Sequence, residues 1–155
     1  MIFEHIQTTF EVDEKNYLGF YEASIFKYSS ENVSLENILK TDMLSEQRRP
    51  SQFGPFTIRL LSANDFIKLN FVELKETLKK LFKKEDWGED LEVVKNYVTK
   101  VFKKIDIEND EIYYISWDSA QSKIEGDFKF FTYFIGLICV NPNQKSIKKI
   151  YFGGD

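Results

Sequence analysis

The chain is poor in the residues on which most active-site chemistry rests. Among 155 residues it has one cysteine, Cys139, and one histidine, His5. A single cysteine excludes an internal disulfide and suits a reducing compartment. One Cys and one His cannot furnish a zinc site, which takes about four such ligands. Nucleophilic catalysis needs a nucleophile and a base within hydrogen-bond reach. His5 sits at a polar position of an N-terminal strand pattern, and Cys139 lies inside the most apolar stretch, where burial makes a thiol inert. No catalytic residue, metal or cofactor is therefore expected, and the protein reads as a non-enzyme.

Other absences narrow the class. Only three prolines occur, and no Gly/Ser-rich linker, internal repeat or low-complexity tract divides the chain. One domain spanning residues 1–155 is the simplest organisation, and that length buries roughly 70% of the unfolded surface. The longest apolar stretch, Phe130 to Val140, is far short of the roughly 20 residues of a membrane helix. The N-terminus lacks the basic start and apolar run of a signal peptide, so the expected location is cytoplasmic, with no membrane partner. Glycine-rich phosphate cradles open helices, whereas Gly153-Gly154-Asp155 ends the chain and reads as a frayed tail. Asp106-Ile107-Glu108-Asn109-Asp110 begins like a calcium loop. The sixth and twelfth positions are Glu111 and Trp117 where that loop requires Gly and Glu, so the match fails.

Arginine is scarce: Arg48, Arg49 and Arg59 are the only three, and the net charge is −4. Acidic ends flank a mildly basic middle. Nucleic-acid binding, which favours a basic excess and bidentate arginines, is disfavoured on both counts. The lysines between Lys75 and Lys104 interleave with Glu73, Glu76, Glu85, Asp86, Glu89, Asp90 and Glu92. That pattern predicts a solvated helix face laced with i,i+4 ion pairs.

Hydrophobic residues make up 43% of the chain and charged residues 30%, the balance of a globular domain. Ile2, Ile6, Phe10 and Val12 alternate with polar residues and predict a strand with one buried face. Tyr17 to Tyr28 predicts a returning strand, with a short helix over Gly19 to Lys27 as the alternative. Ser34 has the form of an N-cap ahead of Leu35, Ile38, Leu39 and Met43. Residues 46–55 read as a surface loop, and Phe56 to Leu61 as a short strand. Ser62 to Asp65 and Asn70 to Glu73 both have capping-box form at helix starts. Phe71, Leu74, Leu78, Leu81 and Phe82 form one apolar stripe, and Leu91, Val94, Val98, Val101 and Ile105 a second. Together they predict an antiparallel helix pair on a sheet. Glu111 to Trp117 predicts a strand. Phe128 to Val140, apolar on both parities, predicts a central strand covered on both sides. A loop at 141–145 leads to a last strand, on which Lys148-Lys149 suggests an exposed edge. The expected fold class is α+β: an antiparallel sheet of about five to six strands with helices packed on one face, in the order β-β-α-β-α-α-β-β-β.

The sharpest surface feature is acidic. Between positions 106 and 127 lie Asp106, Glu108, Asp110, Glu111, Asp118, Glu125 and Asp127, with Lys123 the only base. Tyr113, Tyr114 and Trp117 fall in the same window. Acids speed encounter with a cationic partner, and Tyr and Trp serve as anchors. These ten residues form the candidate partner-binding set, against the alternative that the aromatics face the core between two polar loops.

Glu111-Ile112-Tyr113-Tyr114-Ile115-Ser116-Trp117, the long strand to Val140, and Ile150-Tyr151-Phe152-Gly153-Gly154-Asp155 resemble the immunity proteins of bacterial toxin–immunity pairs, such as those of contact-dependent growth inhibition. The resemblance implies a cytoplasmic protein that binds one cognate toxin domain, often a cationic nuclease, and blocks it. It assigns no functional residue. Two other readings stay open: a small ligand-binding domain or enzyme with a pocket between sheet and helices, using Glu4, Glu22 or Asp118; and a nucleic-acid-associated accessory protein using the lysine-rich helices.

Overall fold

A computed structural model describes residues 3–12, 19–30, 32–45, 51–84, 90–125 and 133–154. The chain runs through β1 (Phe3–Val12), β2 (Phe20–Tyr28), α1 (Leu35–Leu39), β3 (Gln52–Phe53), β4 (Phe56–Thr57), β5 (Ile67–Leu69), α2 (Phe71–Lys84), α3 (Asp90–Lys104), β6 (Glu111–Ser116), β7 (Tyr133–Asn141) and β8 (Ser146–Gly154). Six strands form one sheet in the order β1-β2-β8-β7-β6-β5, with every neighbouring pair antiparallel. β3 and β4 make a separate small hairpin. This is the expected α+β architecture, an antiparallel sheet with helices.

Alternation along the inner strands sorts the core onto two faces. Tyr133, Ile135, Leu137 and Cys139 of β7 join Ile150 and Phe152 of β8 beneath Leu74, Leu78, Val94, Val98 and Val101 of α2 and α3. Phe134, Ile138 and Val140 point the other way, toward Ile38 of α1, Leu44, and Phe53 and Phe56 of the small hairpin. Every residue of β7 is buried, as the two-sided apolar pattern predicts. The part of that stretch before Tyr133 lies outside the described residues. Each fully buried Leu, Ile or Phe contributes about 1.5–3 kcal/mol relative to exposure. Among the described residues no helix is long and apolar enough to cross a membrane.

The small hairpin overturns the expectation of a surface loop over its second half. Gln52, Phe53, Gly54 and Pro55 are buried. Phe53 and Phe56 stack edge-on against Phe134 at 5.6 and 5.5 Å, so the turn is pressed into the sheet by its own aromatics. The strand expected over Phe56 to Leu61 stops at Thr57, where a 3-10 turn takes over at Ile58–Leu60. Ser62 to Asp65 forms its capping contact, Ser62 N–H donating to Asp65 Oδ2 at 2.8 Å, but closes one 3-10 turn instead of opening a helix. The chain then extends into β5. At α2 the same chemistry does start a helix: Asn70 N–H donates to Glu73 Oε1 at 3.0 Å, and Glu73 N–H to Asn70 Oδ1 at 2.8 Å. Ser34 caps α1 as expected, accepting from Asn37 N–H at 3.2 Å.

β1 departs from its predicted buried face. A bulge between His5 and Gln7 pairs His5 with Phe26 and Gln7 with Ile25, so the even positions no longer share one side. As an edge strand it leaves Ile6 and Phe10 at 50% and 42% exposure. Lys100 of α3 ties it down by donating to Glu11 Oε1 at 2.6 Å, and Tyr21 Oη donates to Glu11 Oε2 at 3.1 Å. The Lys100 hydrogen bond, aided by Tyr21 and opposed by burial, holds the Glu11 carboxyl below its ordinary range. The expected frayed tail is also absent as far as Gly154. Gly153 and Gly154 are buried, and pair with Phe134 and Tyr133 as ordinary rungs of the sheet.

Gly54 has φ +59°, and a Cβ there would collide with the Phe134 ring. Gly54→Ala therefore combines left-handed backbone strain with overpacking. Urea denaturation is expected to show a loss of about 2–4 kcal/mol; an unchanged midpoint would contradict the packing of the hairpin on β7.

Candidate partner-binding surface and buried ion pairs

β6 carries the middle of the acidic segment across the sheet, so alternate side chains leave on opposite faces. Tyr114 is 5% exposed and belongs to the core beneath α2 and α3. Tyr113, on the other face, is half-buried beside the α1 layer, as is Trp117 just beyond the strand. Tyr114 is thus removed from the candidate binding set by burial.

Asp110 is removed more decisively. It is 6% exposed, and its carboxylate accepts from Lys148 Nζ at 2.8 Å and from Asn141 Nδ2 at 2.9 Å. Lys148 Nζ also donates to the Asp106 backbone carbonyl at 2.6 Å. Asp110 is therefore already neutralised inside the protein, where it holds the loop after α3 to β8.

The remaining acids do not form one patch. Asp106 and Glu108 are exposed in the α3–β6 loop, with Glu108 N–H donating to Asp106 Oδ1 at 3.0 Å. Glu111 begins β6 and lies 3.8 Å from Lys68. Asp118 and Glu125 follow the far end of the strand, about 20 Å away for its length. There Gln121 Nε2 donates to Asp118 at 3.3 Å, and Arg59 grips Glu125 with two contacts of 2.5 and 2.8 Å. Asp127 lies outside the described residues.

One acidic and aromatic spot survives. The Tyr113 phenol is pushed above its ordinary pKa first by burial, then by the charges of Glu111 and Glu36. Glu36 is exposed in the first turn of α1, far upstream in sequence. Nothing in the linear pattern singled it out, because only the folding of α1 over this sheet face brings it near β6. The resulting corner has a half-buried ring flanked by two carboxylates, with Asp106 and Glu108 at the same end of β6.

The lysines read as an exposed edge are the largest correction. β8 is an inner strand, third in the sheet, and Lys148 and Lys149 are 6% and 3% exposed. Alternation sends them to opposite faces. Lys148 meets Asp110 on the α2/α3 side, and Lys149 meets Glu22 of β2 on the other, at 3.2 Å. The Glu22 Oε2 atom makes no hydrogen bond, so that contact is charge against charge. A linear pattern of two lysines cannot be told from a solvated edge unless the two distant acids are known to face them.

The residues proposed for a ligand pocket do not converge. Glu4 and Asp118 are exposed, and Glu22 is bound to Lys149. A cleft of about 660 Å³ between α1 and the Ile58–Ala63 segment is lined by Glu36, Lys40, Asp42 and Arg59, without any of the three. His5 is exposed, with Nε2 2.5 Å from Thr8 Oγ1. Cys139 is buried, and desolvation pushes its thiol far up, Asp110 adding to the effect and Lys148 opposing it. Among the described residues no group of three or more His, Cys, Asp or Glu is placed to hold a metal ion.

No known protein-family model matches this chain. No curated protein matches it either. A crystal structure of citrus MAF1 aligns over 88% of each chain at 12% identity, with a TM-score of 0.40. Another crystal form of citrus MAF1 covers 87% of this chain and 88% of its own at 13% identity, with a TM-score of 0.36. Likeness at that level carries no functional argument.

Truncating one member of the Lys148–Asp110 pair strands the other in the core. Lys148→Met is expected to cost about 3–5 kcal/mol, and Lys148→Met with Asp110→Leu markedly less than the sum of the two single changes. A double-mutant cycle by chemical denaturation measures this; additive costs would mean that the pair is not coupled.

Proposed function

We propose that the protein is a non-catalytic binding module of the cytoplasmic immunity type, which grips a cationic toxin domain at the Glu36–Glu111–Tyr113 corner and blocks it. The observation that carries this reading is the half-buried Tyr113 on the α1 face of β6, with Glu111 two residues before it in the same strand and Glu36 exposed in the first turn of α1. A Tyr at the centre of such a spot provides apolar area with little entropy to lose, and the acids around it steer a basic partner. The occlusion is steric and electrostatic, with carboxylates standing where a phosphate backbone would lie in a nuclease. The ligand-pocket alternative has less support, since Glu4 and Asp118 are exposed and Glu22 is held by Lys149.

Co-purification with the product of the neighbouring reading frame tests the reading. A salt-sensitive complex that suppresses the partner's activity is expected. Tyr113→Ala and the double reversal Glu36→Lys/Glu111→Lys should each weaken it by about tenfold or more. Glu92→Lys, on α3 at the opposite face, should leave it intact. Absence of a complex, or a complex indifferent to the corner variants, would refute the proposal.

A further inference from the structure

β1 is the outermost strand at one end of the six-stranded sheet, and among the described residues no strand other than β2 pairs with it. Its outer edge thus presents backbone N–H and C=O groups that no described strand takes up, a template for a further strand. Edge strands are ordinarily blunted by brevity, lysine or proline. The opposite edge follows that rule: β5 is three residues long and has the exposed Lys68 at its centre. β1 does not. It is ten residues long and contains neither lysine nor proline. Its bulge lies at Ile6 and leaves Gln7 to Val12 in regular register with β2. The charge in that stretch, Glu11, is already held by Lys100. Between them Phe10, which leans on Phe20 at a ring distance of 6.0 Å, is still 42% exposed.

We propose that β1 pairs antiparallel with β1 of a second copy of this chain, joining two six-stranded sheets across a two-fold axis. The occupant follows from the strand's complementarity to itself. For the joined sheets to keep like faces on the same side, residues of the same parity must stand opposite one another. Phe10 opposite the second copy's Phe10 then sets Thr8 opposite Val12 and Thr9 opposite Glu11. The two exposed rings meet on the axis, flanked by Thr–Val pairs, and aromatic and β-branched cross-strand pairs are stabilising. A shift of two residues one way would set Glu11 against Glu11, and two the other way would draw the bulged Ile6 into the ladder. The pairing is isologous and closes after two chains. A strand of another protein would use the same backbone groups but leave this self-complementary pattern unaccounted for. The Tyr113 corner on β6 lies toward the other end of the sheet and stays open on both copies, so the proposal does not rest on the immunity reading.

Sedimentation equilibrium of the intact protein should show a reversible monomer–dimer equilibrium. Phe10→Lys and Phe10→Glu each put like charges directly opposite across the axis and should weaken dimerisation by about tenfold. An equimolar mixture of the two variants should recover it as a heterodimer, because an ammonium then faces a carboxylate; recovery also shows that both variants fold. Val72→Lys, on α2 and 66% exposed, should leave the dimer unchanged. A milder change gives a second reading. Residues facing across a strand pair stand close enough for a disulfide, so Phe10→Cys should cross-link two copies under mild oxidation, and Val72→Cys should not. A protein that stays monomeric at every concentration, a dimer undiminished by Phe10→Lys, or Phe10→Cys that cross-links no faster than Val72→Cys would each overturn the proposal.

Discussion

Lys148 brings a full positive charge into the middle of an antiparallel sheet, and much of the fold is arranged around that charge. Burying an ammonium costs several kcal/mol after relaxation, and only close, hydrogen-bonded compensation offsets it. Asp110 supplies the counter-charge, Asn141 orients the carboxylate, and the Asp106 carbonyl takes another ammonium proton. Those partners come from the α3–β6 loop and the end of β7, and they meet Lys148 on β8. The network therefore fixes where α3 ends and where β6 begins. Lys149 imposes a similar demand on the other face, which Glu22 of β2 meets. Sliding β8 by one residue against its neighbours would exchange the two lysines between faces and strand four charges, so the pairs specify register as well as stability.

This constraint explains why the long acidic segment does not act as one surface. Its central carboxylate, Asp110, is spent on Lys148, and β6 separates the acids on either side. What reaches solvent is a small corner at the start of β6, completed by Glu36. The two sheet faces consequently differ in character. One carries the short helix α1, the aromatic hairpin and the acidic Tyr113 corner. The other carries the helix pair, whose exposed lysines form none of the expected i,i+4 ion pairs among the described residues.

Much of the architecture was legible where periodicity was strong. The stripes of α2 and α3, the Asn70–Glu73 box, the two-sided apolarity of β7 and the hairpin at 141–145 each depend on local pattern, and each stands in the structure. The failures have a common origin in contacts between residues distant in sequence. Lys148-Lys149 resembles a solvated edge until Asp110 and Glu22 are placed beside it. The Gln52–Pro55 turn resembles a surface loop until Phe53 and Phe56 are packed on Phe134. A single bulge at His5–Gln7 undoes the alternation of β1. Of the candidate site, Glu111 and Tyr113 were visible in the sequence. Tyr114 and Asp110 entered the candidate set, with the orientation of the aromatics left open, because neither strand orientation nor ion pairing is encoded within the window 106–127. Glu36 carried no signal at all.

The most direct test of the buried-charge account is a proton–nitrogen NMR experiment on the lysine side-chain ammonium groups of the intact protein. Burial and hydrogen bonding slow the exchange of ammonium protons with water. Two slowly exchanging Nζ signals are predicted, one lost in Asp110→Asn and the other in Glu22→Gln. If every lysine ammonium exchanges as fast as those on the exposed face of α2, Lys148 and Lys149 are not held inside the sheet, and the register argument built on them is wrong.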